Sequence, residues 1–196
     1  MHQIEYKLLP NITEEILRWR FQCFNETLNY YRDFEASKES FDSDSFHLQL
    51  TIDGEFAAYT RLTPCPLNYM SVCKLPEIVL RSDEFTIEMG RTIVVPKYRG
   101  IKLVNTILLL GLRIVESAGY RYAIGNESYE HHLAMPSANG WEFTNLVADF
   151  YMPFSQKGSH TFYIVECDIK KTTVLRTERL NYYKDFLKSN NYQLTI

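Results

Sequence analysis

One passage near the middle of the chain restricts the fold more than any other. Phe85–Val95, rich in Ile, Val and Thr, reads as a strand, and Pro96-Lys97-Tyr98-Arg99-Gly100 follows as a basic turn. Ile101 to Ala118 is then the longest helical pattern, with Gly119 placed as its C-terminal stop. A strand that feeds a long helix through a short turn needs a sheet for that helix to pack on, so the expected class is α/β.

The flanking segments extend this pattern. Ile4 to Leu8 reads as a strand ended by Pro10, and Asn11-Ile12-Thr13-Glu14 has the arrangement of a capping box. The helix it opens carries Ile16, Leu17, Arg20, Phe24 and Leu28 at helical spacing. Phe34 to Ser45 is polar and loop-like. His47–Ile52 and Phe56–Leu62 flank Asp53-Gly54, a hairpin signal. Tyr120–Gly125 reads as a short strand, Tyr129–Asn139 as a helix disturbed by Pro136, and Phe143–Phe150 with Thr161–Asp168 as a strand pair. Residues 172–189 form a terminal helix with Leu180, Tyr183 and Leu187 on one face. No linker or repeat divides residues 1–196, so a single α/β domain with a mixed sheet is expected.

Composition removes several functional classes. Lys plus Arg is 21 against 24 Asp plus Glu, a net charge of −3, which gives no bulk field for nucleic acid. Apolar residues make up 45% of the chain, which argues against disorder. The apolar run Ile107 to Leu112 ends at Arg113, far short of the roughly 20 residues that span a bilayer. No secretory signal is visible and no C-x-x-C pair occurs among Cys23, Cys65, Cys73 and Cys167, so a cytoplasmic protein with reduced thiols is expected. His131-His132 lacks partners at metal-ligand spacing, and no metal is expected.

Val94-Val95-Pro96-Lys97-Tyr98-Arg99-Gly100 resembles the end of the central strand in the GCN5-related N-acyltransferase (GNAT) superfamily. There the pattern V-x-P-x-Y-R-G precedes a helix whose N-terminus holds the pyrophosphate of an acyl thioester. The physical basis is the set of unpaired N–H groups and the positive dipole end at a helix start. The resemblance implies a mixed central sheet with helices on both faces, a V-shaped opening between strands, and a donor site formed by Val94, Val95, Lys97, Arg99, Gly100, Ile101 and Lys102, with a backbone N–H near Val94 as oxyanion donor. The superfamily's loop usually continues R-G-x-G-x-G or R-G-x-G-x-A, whereas Lys102 and Val104 stand here at the two small positions.

The chain also resembles the acyl-homoserine lactone synthases. The shared features are Arg20 and Phe24 on the first helix, Tyr30, the acidic Asp42-Ser43-Asp44, Arg61-Leu62-Thr63-Pro64, Glu88-x-x-Arg91 and Gly140-Trp141. Glu88-Met89-Gly90-Arg91 and Gly119-Tyr120-Arg121-Tyr122 are similar to pieces of N-acyl amino acid synthases and ornithine lipid acyltransferases. These resemblances imply a fatty acyl group moved from acyl carrier protein or acyl-CoA onto an amine such as an amino acid, with no tightly bound cofactor. They also imply Arg20, Arg61 and either Asp42 or Asp44 as acceptor-binding or bracing residues, and Trp141 and Phe143, with Phe150 and Phe154 nearby, around the segment that would border the acyl chain.

Acyl transfer needs a neutral amine, and an alkyl amine with a pKa of roughly 10 is mostly protonated at pH 7. Glu88 is the candidate base, acting directly or through a water. Glu88 and Arg91 point to opposite faces of a regular strand, so a bulge, least costly at Gly90, is needed to bring both to one cleft. Arg91 would then orient Glu88 or grip a substrate carboxylate. Counting back four from Gly140 gives Pro136, so the tyrosine acid of many acetyltransferases is missing. Lys97, Arg99 and Lys102 are a candidate docking patch for an acidic carrier protein. Two rivals remain: an acetyl-CoA-dependent acetyltransferase, and a non-catalytic protein that binds an acyl donor.

Overall fold

A computed structural model describes residues 1–65, 85–128, 139–151 and 159–195, and of these it describes the backbone alone for 126–128, 143–151 and 159–162. The elements in order are β1 (His2–Leu9), α1 (Glu14–Leu28), 3-10 turns at Glu35–Ser37 and Ser40–Asp44, β2 (Phe46–Ile52), β3 (Glu55–Pro64) and β4 (Thr86–Val94). A 3-10 turn at Pro96–Tyr98 leads to α2 (Leu103–Ser117), β5 (Tyr122–Ser128), β6 (Glu142–Tyr151), β7 (Ser159–Asp168), α3 (Thr173–Ser189) and β8 (Tyr192–Leu194). The expected helix at Tyr129–Asn139 lies outside the described residues except for Asn139.

The strands form one sheet in the order β6-β7-β5-β4-β3-β2-β1-β8. It is mixed, because β4 and β5 pair in parallel, as do β1 and β8, while their neighbours are antiparallel. β8 is an addition to the expected order. Its three residues pair Tyr192–Leu194 with His2–Ile4 once α3 has returned the chain to that edge.

Local sequence explains most boundaries. Helix α1 starts two residues later than an Asn11 cap would place it, since the Thr13 hydroxyl accepts the Ile16 N–H at 3.2 Å. Its buried stripe is Ile16, Leu17, Arg20 and Cys23. At the hairpin, Asp53 and Gly54 have φ of 51° and 84°, the left-handed pair that a tight two-residue turn requires.

Cross-strand register assigns the two faces. Leu48, Leu62 and Met89 meet α2 at Gly111, where a Cβ would stand 2.6 Å from Met89 Cε, so the missing side chain lets the helix sit close to the sheet. Helix α3 packs beside α2. The opposite face carries His47, Arg61, Thr63 and Glu88, with Thr63 opposite Glu88 and Arg61 opposite Gly90. Helix α1 packs on this side of β4 and lends Arg20 to the groups gathered there.

Two irregularities in β4 shape the centre of the sheet. Tyr59 faces Ile93 and Arg61 faces Gly90, so β4 holds one extra residue there, and Arg91 takes φ of 57°. The bulge therefore falls at Arg91, one residue beyond Gly90. On its other side β4 pairs with β5 only from Thr86–Tyr122 to Glu88–Ile124. From Gly125 onward β5 pairs only with β7. The β4–β5 ladder thus ends at Glu88–Ile124, and beyond Met89 and Gly125, where a Cβ on Gly125 would still stand 3.1 Å from the Met89 carbonyl oxygen, the two strands take different partners.

Candidate active site

The face beneath the fork holds a buried ionic network. Arg20 donates to both oxygens of Asp42, at 2.8 and 2.6 Å, and also to the Ser37 carbonyl. Arg61 donates to Glu39 at 2.7 Å and to Asp42 at 3.1 Å, and Arg91 donates through Nε to Glu39 at 2.7 Å. The Tyr31 hydroxyl adds a bond to Glu39 at 2.9 Å. Glu39 and Asp42 are positioned by the short 3-10 turn between them, whose period of three places both on one side. The Glu39 N–H donates to the Asp42 carboxylate at 3.0 Å and the Asp42 N–H to the Glu39 carbonyl at 3.0 Å, which closes the turn.

Charge settles the ionisation of the network. Burial pushes the Glu39 carboxyl upward, but Arg91, Arg61 and Arg20 outweigh it and hold the group far below the usual range. Asp42 is shifted the same way, with burial opposed by Arg20 and Arg61. Behind this pair, His47 Nε2 lies 3.0 Å from the Asp42 carbonyl and Nδ1 lies 2.9 Å from the Tyr59 hydroxyl. A carbonyl only accepts, so Nε2 carries the hydrogen and Nδ1 accepts from Tyr59. Burial, with Arg61 and Arg20 nearby, lowers the proton affinity of His47 despite the Asp42 carbonyl.

Glu88 stands apart from the other two acids. All four oxygens of Glu39 and Asp42 are hydrogen-bonded, whereas Glu88 Oε2 is buried with no hydrogen-bond partner and its nearest cation is Arg61 Nη2 at 3.7 Å. The residue is 2% exposed, so it is enclosed beside the fork and does not line an open groove. Arg61, and not Arg91, is the arginine that faces it. Arg91 lies over the Tyr30 ring, 5.3 Å from its centre, with its Nε on Glu39. The bulge does bring Glu88 and Arg91 to the same face, where both act electrostatically on Arg61.

The other sequence candidates fall into place around this centre. Asp42 is buried in the network while Asp44 is exposed. Glu39, Tyr31, His47 and Tyr59 were not singled out by the sequence, and the one available signal was the E-x-x-D spacing of Glu39 and Asp42. Trp141 is buried, its ring edge 3.7 Å from where a Gly125 Cβ would stand, on the α2 face. Its indole N–H is buried without a hydrogen-bond partner. The side chains of Phe143 and Phe150 lie outside the described residues, as do Phe154, His131, His132, Pro136 and Cys73. Cys23 and Cys167 are buried free thiols, and Cys65 is buried as well.

At the turn, the Val95 N–H donates to Ala57 on β3 at 3.0 Å. By strand alternation Val94 turns its N–H and carbonyl to the open edge. That carbonyl receives Arg99 Nε at 3.3 Å and the Cys23 thiol at 3.8 Å. Gly100 has φ of 90°, and Lys102, the N-cap of α2, has φ of 64° and no side-chain cap. Lys102 thus holds a left-handed conformation usually left to glycine, and the first-turn N–H groups beyond it have no intrahelical acceptor. Lys97 and Tyr98 both bind Glu55 at the β2–β3 hairpin, and Arg99 lies 3.6 Å from Glu26 of α1. Of the three basic side chains, Lys97 is hydrogen-bonded to its carboxylate, Arg99 faces one at 3.6 Å, and Lys102 has no ion pair among the described residues.

Among the described residues no group of His, Cys, Asp and Glu could hold a metal ion, and no helix is long and apolar enough to cross a membrane. No protein-family description matches the sequence, and no curated protein matches it. Solved structures do resemble it. The CoA-dependent acyl-homoserine lactone synthase BjaI, determined with SAM and isopentyl-CoA, has a TM-score of 0.62 at 17% identity, over 92% of this chain and 90% of that one. FeeM, an N-acyl amino acid synthase from uncultured soil microbes, has a TM-score of 0.65 at 8% identity, over 87% and 93%. The ribosomal-protein-S18-alanine N-acetyltransferase of Escherichia coli has 0.57 at 15%, over 84% and 94%. The fold is that of the GNAT N-acyltransferases.

Proposed function

We propose that this GNAT-fold chain is an N-acyltransferase that moves an acyl group, preferentially a fatty one, from an acyl thioester to the amine of a small acceptor. The observation that carries the reading is the fork itself. The pairing of β4 with β5 ends at Glu88 and Ile124, and the carboxylate at that point keeps one oxygen without a hydrogen-bond partner. An unsatisfied buried acceptor costs about 1–3 kcal/mol and has use for a donor brought by a ligand.

The thioester arm enters the fork along the free edge of β4, and its phosphates meet the uncapped start of α2. The Val94 N–H then stands where it can hold the carbonyl oxygen as charge develops. The acceptor amine approaches from the ionic face and gives up a proton toward Glu88. The enclosure of Glu88 favours transfer through one intervening water over direct contact. The amine attacks the carbonyl carbon, the tetrahedral adduct collapses, and the thiol leaves as thiolate. Arg61 stands beside the Glu88 carboxylate, and Glu39 and Asp42 hold Arg61 in place.

The likeness to an acyl-homoserine lactone synthase solved with isopentyl-CoA and to an N-acyl amino acid synthase supports a donor acyl group longer than acetyl, with an amino acid or its derivative as acceptor. A medium- or long-chain group on acyl carrier protein or CoA is the donor proposed. The likeness to an N-acetyltransferase supports a second reading with acetyl-CoA as donor. Thiol release measured across acyl-carrier-protein and acyl-CoA panels, from acetyl upward, separates them. Turnover that rises with chain length is expected. Turnover with acetyl-CoA alone replaces the first reading by the second, and binding of donors without turnover leaves a non-catalytic acyl-binding protein.

A further inference from the structure

The Glu88 carboxylate fills the volume that a side chain at position 90 would occupy. A Cβ built on Gly90 would stand 2.2 Å from Glu88 Oε1, 3.0 Å from Cδ and 3.4 Å from Oε2. Residues two apart on a strand share a face, so the acid folds forward along its own strand over the bare backbone of Gly90. Two neighbouring facts give this a direction. Gly90, Arg91 and Thr92 form a half-buried stretch of β4 at the bulge, whereas Thr86–Met89 and Ile93–Val94 are buried. The same folded position leaves Oε2 within 3.7 Å of Arg61. Glu88 therefore lies between the interior arginine and the one accessible part of its strand.

The φ of Gly90 is not positive, so no backbone demand explains a glycine there. We infer that Gly90 is a positioning residue whose missing side chain parks the Glu88 carboxylate beside Arg61, at the border of the accessible bulge. The inference deepens the acyltransferase reading and rests on it for the role of Glu88 as proton acceptor. A methyl group at position 90 collides only with the far end of a flexible side chain, so the protein folds and the acid moves.

The test is a double-mutant cycle with Gly90→Ala and Glu88→Asp, read by steady-state thiol release. Misplacing a reacting group by about 1 Å costs on the order of 100-fold in rate, so Gly90→Ala is expected to lower kcat by about that factor. Donor KM stays within about 2-fold of the parent, because the donor's own contacts are untouched. Aspartate ends one methylene short and clears the added methyl, so the double variant is expected to turn over faster than Gly90→Ala alone. A Gly90→Ala protein with parental kcat, or a double variant whose loss equals the product of the two single losses, overturns the inference.

A second readout needs no turnover. The 13C resonance of the Glu88 carboxyl at neutral pH is expected to move in Gly90→Ala, and an unchanged resonance overturns the inference whatever the activity. A parent protein inactive on every thioester, with that resonance shifted in the variant, would end the acyltransferase reading and uphold the positioning of Glu88 by Gly90.

Discussion

The guanidinium of Arg20 and the carboxylate of Asp42 join helix α1 to the turn before β2 through two hydrogen bonds, 2.8 and 2.6 Å long, both side chains buried. The pair fixes the entrance segment against the sheet and holds Asp42 where it also receives Arg61. Charges at such depth are tolerated only because nearly every one has a partner.

Removing one member exposes that dependence. Asp42→Asn leaves Arg20 buried beside a neutral amide and replaces one of the two oxygens that Arg20, Arg61 and the Glu39 N–H share by a donor, so a loss of about 3–5 kcal/mol is expected. Arg20→Lys keeps the charge but cannot span both oxygens, and its cost should be smaller. Urea unfolding of the three proteins measures the order. A loss below about 1 kcal/mol for Asp42→Asn would show that the network is not needed for folding.

Acid should unfold the protein in two stages of the same sign. Buried His47 resists protonation in the folded state, whereas an unfolded histidine titrates near pH 6.5. As pH falls through that value the unfolded chain binds more protons, and stability declines. Glu39 and Asp42 add a second decline below about pH 5, because their folded forms stay ionised after the unfolded carboxyls have begun to protonate. Each group contributes at most about 1.4 kcal/mol per pH unit within its window. Urea midpoints from pH 7.5 to 4 should show both stages, and His47→Gln should remove the upper one. Equal midpoints at pH 7.5 and 5.5 in the parent protein would contradict the role of His47.

The comparison of sequence with structure separates local from distant causes. Asp53-Gly54 and Gly119 announce a hairpin and a helix end because the requirement, a left-handed backbone, lies in the residue itself. The passage from Phe85 to the α2 helix was legible for a related reason, since strand, turn and helix are contiguous. Glu39 was not, because its partners Arg61 and Arg91 lie 22 and 52 residues away and meet only after β3 and β4 pair. The choice between Asp42 and Asp44 depends on the 3-10 turn, a conformation that no single residue demands. β8 is three residues long and exists only because α3 delivers it to β1.

The turn before α2 gives a prediction about donor binding. Lys97 is held by Glu55, so Lys97→Ala should leave donor KM within about 2-fold of the parent, whereas Arg99→Ala and Lys102→Ala should raise it more. Lys102→Gly relieves a left-handed conformation that costs a side-chain-bearing residue about 1–2 kcal/mol, against about 0.5–1 kcal/mol of added chain entropy. Its stability should therefore match or slightly exceed that of the parent. Gly100→Ala, at φ of 90°, should lose about 1 kcal/mol or more. Thermal unfolding and donor KM measured on the same samples test the set. Lys97→Ala with the largest rise in KM would show that the hairpin ion pair opens for the donor.

The acid at the fork can be tested with a single isosteric change. Glu88→Gln keeps the shape of the side chain and its fit over Gly90 but removes the charge and the proton-accepting capacity. If Glu88 takes the amine's proton in the transition state, kcat should fall by about 100-fold or more while donor KM changes by less than about 3-fold. A purely bracing role predicts something different. Arg61 would lose a nearby carboxylate, the network would loosen, and stability would fall together with both kinetic constants. Measuring kcat, donor KM and the urea midpoint on one preparation distinguishes these cases. Parallel losses in all three would assign Glu88 to the scaffold, and a selective loss of kcat at unchanged midpoint is the expected result.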